Sequence, residues 1–131
     1  MNTPNPVPNM AVWFEIPAAD IDRAIRFYET VLAAELKRES CPGTEMRMAI
    51  FPYYETGGVS GCVIQGDGYA PGASGSIVYL NGGDDLAVPL ARVEAAGGTV
   101  LIPKTLINEE IGYFAHFIDS EGNRVALHSR R

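Results

Sequence analysis

Two histidines, a carboxylate, a guanidinium and an indole carry most of the chemistry open to this chain. His116 and His128 fall on two consecutive strand-forming stretches, about Gly112 to Ile118 and Arg124 to Ser129, joined by Asp119-Ser120-Glu121-Gly122-Asn123. Adjacent antiparallel strands bring such side chains together, and imidazole is both the commonest metal ligand and the proton carrier of neutral pH. Alternation puts His128 on one face with Arg124 and Ala126, opposite Val125 and Leu127. The face of His116 stays open, because Phe114 and Ile118 on its side are as apolar as Ala115 and Phe117 on the other. Near the start of the chain Glu15 shares a strand face with Trp13. A carboxylate there serves as a ligand, as a general base, or as the ion-pair partner of Arg124 in a polar interior. The indole beside it suits an aromatic or cationic compound, which the net charge of −6 helps to attract.

Other chemistries find little support. Gly72-Ala73-Ser74-Gly75-Ser76 lacks the strand-to-helix context that strains and exposes a catalytic serine. Gly57-Gly58 and Gly82-Gly83 read as turn glycines, since neither opens a dinucleotide-binding strand-turn-helix. Tyr53 and Tyr54 sit at a hairpin end, where they either lid a groove or face solvent or a partner. Thr105 to Glu110 reads as a loop with two adjacent carboxylates, either covering a groove mouth or simply solvated.

The elements that position these groups come in two similar halves. Ala11 to Ile16 alternates as a strand, and Asp20 caps a helix whose stripe is Ile21, Ala24, Ile25, Tyr28 and Leu32. Strands follow at about Glu35 to Glu39, Met46 to Tyr53 and Gly58 to Gln65, separated by turns at Cys41-Pro42-Gly43 and Glu55-Thr56-Gly57. After a linker from Asp67 to Gly75, Ser76 to Leu80 begins the order again. Asp84 or Asp85 caps a second helix with the stripe Leu86, Leu90 and Val93, Pro89 falls near its first turn, and Gly97-Gly98 ends it. Thr99 to Pro103 precedes the two histidine-bearing strands. The expectation is an α+β fold of two tandem βαβββ modules, about 11–66 and 76–129, forming a curved mixed sheet around a central groove with helices on the outer face.

Composition bounds the rest. A chain of 131 residues, 47% apolar and 20% charged, suits one domain over residues 11–131 that buries its core without a disulfide or structural metal. No apolar run nears the roughly 18 residues of a membrane span. Met1 to Met10 reads as a flexible arm, and it lacks the basic and apolar regions of a secretory signal. Two cysteines, Cys41 and Cys62, fit thiols in a reducing cytoplasm. Without a basic cluster beyond Arg130-Arg131, nucleic acid is not an expected partner.

The doubled order, the segment Phe14-Glu15-Ile16-Pro17-Ala18-Ala19-Asp20 with Arg23-Ala24 and Phe27-Tyr28, the break Ala95-Ala96-Gly97-Gly98-Thr99-Val100, and Gly112-Tyr113-Phe114-Ala115 before Asp119-Ser120-Glu121-Gly122-Asn123 together resemble the vicinal oxygen chelate superfamily. That superfamily includes glyoxalase I, bleomycin resistance proteins and extradiol dioxygenases, and the chain looks closest to its small glyoxalase-like members. Ala33-Ala34 departs from the usual Leu-Gly helix end. The resemblance implies metal ligands on the first and last strand of each module. Spacing carries those positions to Trp13, Cys62, Ser76 and Ala126, of which Trp and Ala cannot ligate and Ser rarely does. A lone Cys62 on an apolar strand reads more simply as a small buried hydrophobe. The expected protein therefore binds a small organic molecule in its groove without a metal and pairs as a homodimer. The alternative is a metal-dependent lyase, isomerase or dioxygenase with a rearranged site drawn from His116, His128, Glu15 or Cys62.

Overall fold

The computed structural model describes residues 9–40, 43–53 and 58–131. Most of the N-terminal arm, the Cys41-Pro42 part of one turn, Tyr54 and the Glu55-Thr56-Gly57 turn lie outside the described residues. The first module runs β1 (Trp13–Pro17), α1 (Ile21–Leu32), β2 (Lys37–Ser40), β3 (Arg47–Ile50) and β4 (Ser60–Gln65); the second runs β5 (Tyr79–Asn81), α2 (Ala87–Leu90), β6 (Thr99–Asn108), β7 (Gly112–Ile118) and β8 (Arg124–Ser129). The order βαβββ thus occurs twice, as an α+β fold. The ladders form two four-stranded mixed sheets, ordered β1-β4-β3-β2 and β5-β8-β7-β6, with the first and last strand of each module parallel. Among the described residues no helix is long and apolar enough to cross a membrane.

Helix α1 forms where the apolar stripe predicts it. Asp20 Oδ1 accepts from the Arg23 N–H at 3.1 Å, and Ile21, Ala24, Ile25, Phe27, Tyr28 and Val31 are buried. The inner side chains of the first sheet, Ile16, Ala49 and Val63, join them in one core with Leu80, Ala115, Phe117, Val125 and Leu127 from the second. Phe27 of α1 meets Phe117 of β7 with ring centroids 5.9 Å apart, so the helix packs against both modules. Its C-cap, Ala33, adopts left-handed backbone at φ 52°, ψ 48°. An L side chain is strained there and glycine is not, so Ala33→Gly is expected to raise stability by about 1 kcal/mol. A chemical denaturation midpoint that stays put or falls would contradict this.

Three elements depart from the periodicity. The second helix shrinks to Ala87–Leu90: after Ala91 the bonding tightens, with Arg92 N–H to the Pro89 carbonyl and Val93 N–H to the Leu90 carbonyl, and the chain turns irregularly to Gly97 at φ 108°. Its apolar stripe survives in part, with Leu86 and Val93 fully buried. Strand β5 starts only at Tyr79, so Ser76 to Val78 precedes the ladder. Strand β6 extends through Thr105 to Asn108, making the expected loop the arm of a hairpin with β7. Register shifts after Val100, Ile102 and Leu106 bend that arm.

The turn between β7 and β8 locks one module to the other. Asp119, 3% exposed, accepts from the backbone N–H groups of Glu121 (2.8 Å) and Asn123 (2.9 Å), and from the Tyr28 hydroxyl at 2.6 Å. Gly122 supplies the positive φ, 88°, that closes this turn. Asn123 Nδ2 then donates to the Pro17 carbonyl at 2.7 Å. Glu121 Oε1 accepts from the N–H groups of Ala19 and Asp20 at 2.9 and 2.8 Å, and Glu121 Oε2 pairs with Arg23 Nε at 2.7 Å. A turn of the second module thereby satisfies the entry to the first module's helix.

Candidate functional site

Register places the chemistry on the sheet faces turned away from α1. Glu15 pairs with Cys62 and Trp13 with Ser60 in the first sheet. In the second, Tyr79 pairs with Ala126 and Asn81 with His128, while His116 faces Ala126 and Phe114 faces His128 across β7 and β8. The ambiguity over His116 is resolved by packing: Ala115 and Phe117 are in the core, so the imidazole takes the groove side with Phe114.

His116 is the middle of a three-residue chain. Arg124 Nε donates to His116 Nδ1 at 2.9 Å, and His116 Nε2 lies 2.9 Å from the Tyr79 hydroxyl. A guanidinium only donates, so Nδ1 must be unprotonated and the imidazole proton sits on Nε2. Nε2–H therefore donates to the Tyr79 oxygen, and the hydroxyl proton is left to donate elsewhere. Burial, followed by the nearby Arg124 charge, holds the His116 pKa below its ordinary 6.5, consistent with a neutral ring. Tyr79 and Phe114 flank that ring edge-on, each with centroids 5.5 Å away.

Tyr79 opens into a cleft of about 470 Å³ lined by Asn81, Ile107, Ile111, Phe114 and His128 as well. Phe114 and the two isoleucines make its apolar surface, and the extended β6 arm supplies Ile107. His128 Nε2 donates to the Ile111 carbonyl at 2.6 Å, which leaves Nδ1 as an acceptor on the neutral ring. Asn81 Oδ1 accepts from the Gly83 N–H at 2.9 Å, so its amide NH₂ is left to donate.

Two more clefts flank the boundary between the modules. A polar one of about 390 Å³ brings Glu15, Ser76 and Arg124 together with Asn123. An apolar one of about 870 Å³ is lined by Phe14, Leu32, Phe51 and Pro89, among others. Glu15 makes no ion pair with Arg124 among the described residues, since the Arg124 Nε is directed at His116. Trp13 is 44% exposed and lines none of these three clefts. Cys62 and Ala126 share the groove register but are 0% exposed, so their side chains pave the sheet beneath the surface.

Ser76 does not occupy the counterpart position expected of it. The residue opposite Ala126 is Tyr79, which lies nearer the capping Asp than Ser76 does, so the spacing counted back from that cap overshoots the paired strand; Gly82 N–H bonds the His128 carbonyl at 2.7 Å where β5 ends. Tyr79, Asn81 and Phe114 were the groove residues missed by sequence reasoning. Their signal was present in the alternation of Tyr79 with Val78 and Leu80, and of Phe114 with Ala115.

A divalent metal is what the resemblance implies, and the side chains do not fit one. The groove positions of β1, β4, β5 and β8 offer Glu15, Cys62, Tyr79 and Ala126, and both His116 ring nitrogens are engaged. Among the described residues no three His, Cys, Asp or Glu side chains gather into a metal-holding group.

The fold has close counterparts. Glyoxalase I from maize superimposes with a TM-score of 0.67 at 21% identity over 91% of this chain, which spans 45% of the maize chain. Leishmania major glyoxalase I, described as trypanothione-dependent, gives a TM-score of 0.64 at 16% identity over 91% of this chain and 85% of that one. A glyoxalase/bleomycin resistance protein/dioxygenase family enzyme from Burkholderia phytofirmans gives 0.62 at 16% identity, covering 92% and 98%. No curated protein sequence matches. The family model for this superfamily matches residues 11–127, well over half of the chain, so the chain belongs to the glyoxalase/bleomycin resistance protein/dioxygenase superfamily.

Proposed function

We propose that this protein binds a small organic molecule on the concave face of its second module, and does so without the superfamily's metal. The observation that carries the reading is the chain Arg124–His116–Tyr79, which ends in a hydroxyl donor at the wall of an apolar cleft. A cleft of a few hundred Å³ with an apolar lining and a few convergent polar groups is the usual form of a small-molecule site. Where a metal would draw on several carboxylates and imidazoles, this cleft offers a phenol, an amide, the arginine-backed His116 behind them, and His128 held through Nε2 by the Ile111 carbonyl. Glu15, exposed in the neighbouring polar cleft, is the base this reading assigns to any proton transfer. A homodimer and a cytoplasmic location belong to the same reading, the first by resemblance and the second from the cysteine usage.

The metal-free part is tested by elemental analysis of protein purified without chelator. Well below one equivalent of Zn, Ni, Mn or Fe is expected, with a melting temperature unchanged by chelator. One full equivalent of any of these would overturn it and assign His116, His128, Glu15 or Cys62 as ligands.

A further inference from the structure

The hydrogen-bond polarity of the Tyr79 cleft is determined by its own connections, and it selects a ligand. Arg124 cannot accept, so the proton order along the chain runs from Arg124 through His116 to the Tyr79 oxygen, and the free end is a phenolic O–H. Asn81 reaches the same polarity by a different route, its carbonyl oxygen being taken by the Gly83 N–H. Two donors from β5 thus border this cleft, and the larger apolar cleft as well, with the Arg124 guanidinium behind one of them through His116. The rest of the lining is the Phe114 ring with Ile107 and Ile111. The other titratable group on the cleft is His128, tied through Nε2 to the Ile111 carbonyl. Glu109 and Glu110 sit exposed at the β6–β7 turn beside Ile111, and Asp85 is paired with Lys104 at 2.8 Å.

Resting on the small-molecule reading above, we infer that the cleft takes a conjugated oxyanion: a flat, unsaturated molecule whose ionised phenol or enol oxygen accepts from Tyr79 Oη and Asn81 Nδ2. An apolar wall suits the ring, and two donors with a guanidinium behind them favour the ionised oxygen over the neutral hydroxyl. A cationic ligand would meet two donors, no carboxylate and a single uncharged acceptor, the His128 Nδ1.

The test uses 4-nitrophenol, whose phenol and phenolate absorb at different wavelengths, and 4-nitroanisole, which has the same ring but cannot ionise. At the pH where free 4-nitrophenol is half ionised, the bound probe is expected to show the phenolate spectrum and to bind at least about tenfold more tightly than 4-nitroanisole. Tyr79→Phe removes the hydroxyl from a half-exposed ring and leaves the His116 Nε2–H without its acceptor, so it is expected to lower the melting temperature modestly while the protein stays folded, to weaken 4-nitrophenol by about tenfold or more and to leave 4-nitroanisole unchanged. Asn81→Ala provides a second variant with the same pattern. A bound probe that stays protonated, or 4-nitroanisole binding as tightly as 4-nitrophenol, would overturn the oxyanion while leaving the cleft as a binding site. Failure of both probes to bind at millimolar concentration would overturn both readings. Unchanged 4-nitrophenol affinity in both variants would place the anion away from Tyr79 and Asn81 and overturn the inference.

Discussion

Asp119→Ala is expected to cost about 3 kcal/mol or more of folding stability, from the loss of several hydrogen bonds at a buried carboxylate. Asp119 Oδ1 closes the β7–β8 turn by accepting two backbone N–H groups, and Oδ2 accepts from Tyr28 at 2.6 Å and from Asn123 Nδ2 at 3.1 Å. Tyr28 is 0% exposed, so truncation strands its hydroxyl where water cannot replace the lost acceptor. Burial first, then the Asp119 charge, pushes the Tyr28 pKa well above its ordinary 10. A folded pKa above the unfolded one contributes stability that is complete below pH 10 and is lost as pH rises toward the folded value. Urea denaturation at neutral pH checks the Asp119→Ala effect through its midpoint at unchanged m. A loss below about 1 kcal/mol, the scale of one ordinary hydrogen bond, would show that the turn does not lock the modules.

Glu121→Ala comes next, with an expected loss of about 2 kcal/mol. Its side chain is 0% exposed, and it holds the first N–H groups of the α1 entry together with Arg23. Because Arg23 is 48% exposed, water screens the ion pair, and most of the effect comes from the backbone donors left at the helix start. Arg23→Ala alone should therefore cost much less than Glu121→Ala. Burial alone would raise the Glu121 pKa, but hydrogen bonds from Arg23, the Asp20 N–H and Ser120 bring it below its ordinary 4.5. A depressed folded pKa means that this stability is present above pH 4.5 and is lost as pH falls through the folded value. Acid titration of stability in the parent and in Glu121→Ala should show a steeper acid loss in the parent. Parallel curves would remove Glu121 from the acid response.

Both substitutions bear on the groove, because the turn that carries them joins β8, with Arg124 and His128, to Pro17 at the end of β1. Arg124 follows directly on Asn123, whose amide bonds the Pro17 carbonyl. The chain that orients Tyr79 thus starts one residue from the module junction.

Much of this was legible in one dimension. The stripe after Asp20, the exact run Gly112–Ile118, the run Arg124–Ser129 and the turn with Gly122 at positive φ follow from periodicity and local backbone preference, which depend on near neighbours along the chain. So does the doubled βαβββ order, and with it the family. The weaker elements were not legible: α2 gives way to tighter turns after Leu90, and β6 extends to Asn108 by pairing with β7.

The types of the site residues were in the sequence, and their roles were not. Alternation put His128 on the groove face, but His116 lay between two equally apolar rows until the core claimed Ala115 and Phe117. Which residue stands opposite Ala126 depends on the register of β5 against β8, two strands far apart in the chain. Hydrogen-bond polarity is more remote still, since the proton order from Arg124 to Tyr79 exists only when three residues from β5, β7 and β8 are placed side by side. Sequence alone determined the two modules; of the four groove positions it marked, register kept Cys62 and Ala126 and put Glu15 and Tyr79 where Trp13 and Ser76 were expected. Only tertiary packing, which joins residues far apart in the chain, decided that Tyr79 faces the cleft with a proton to donate.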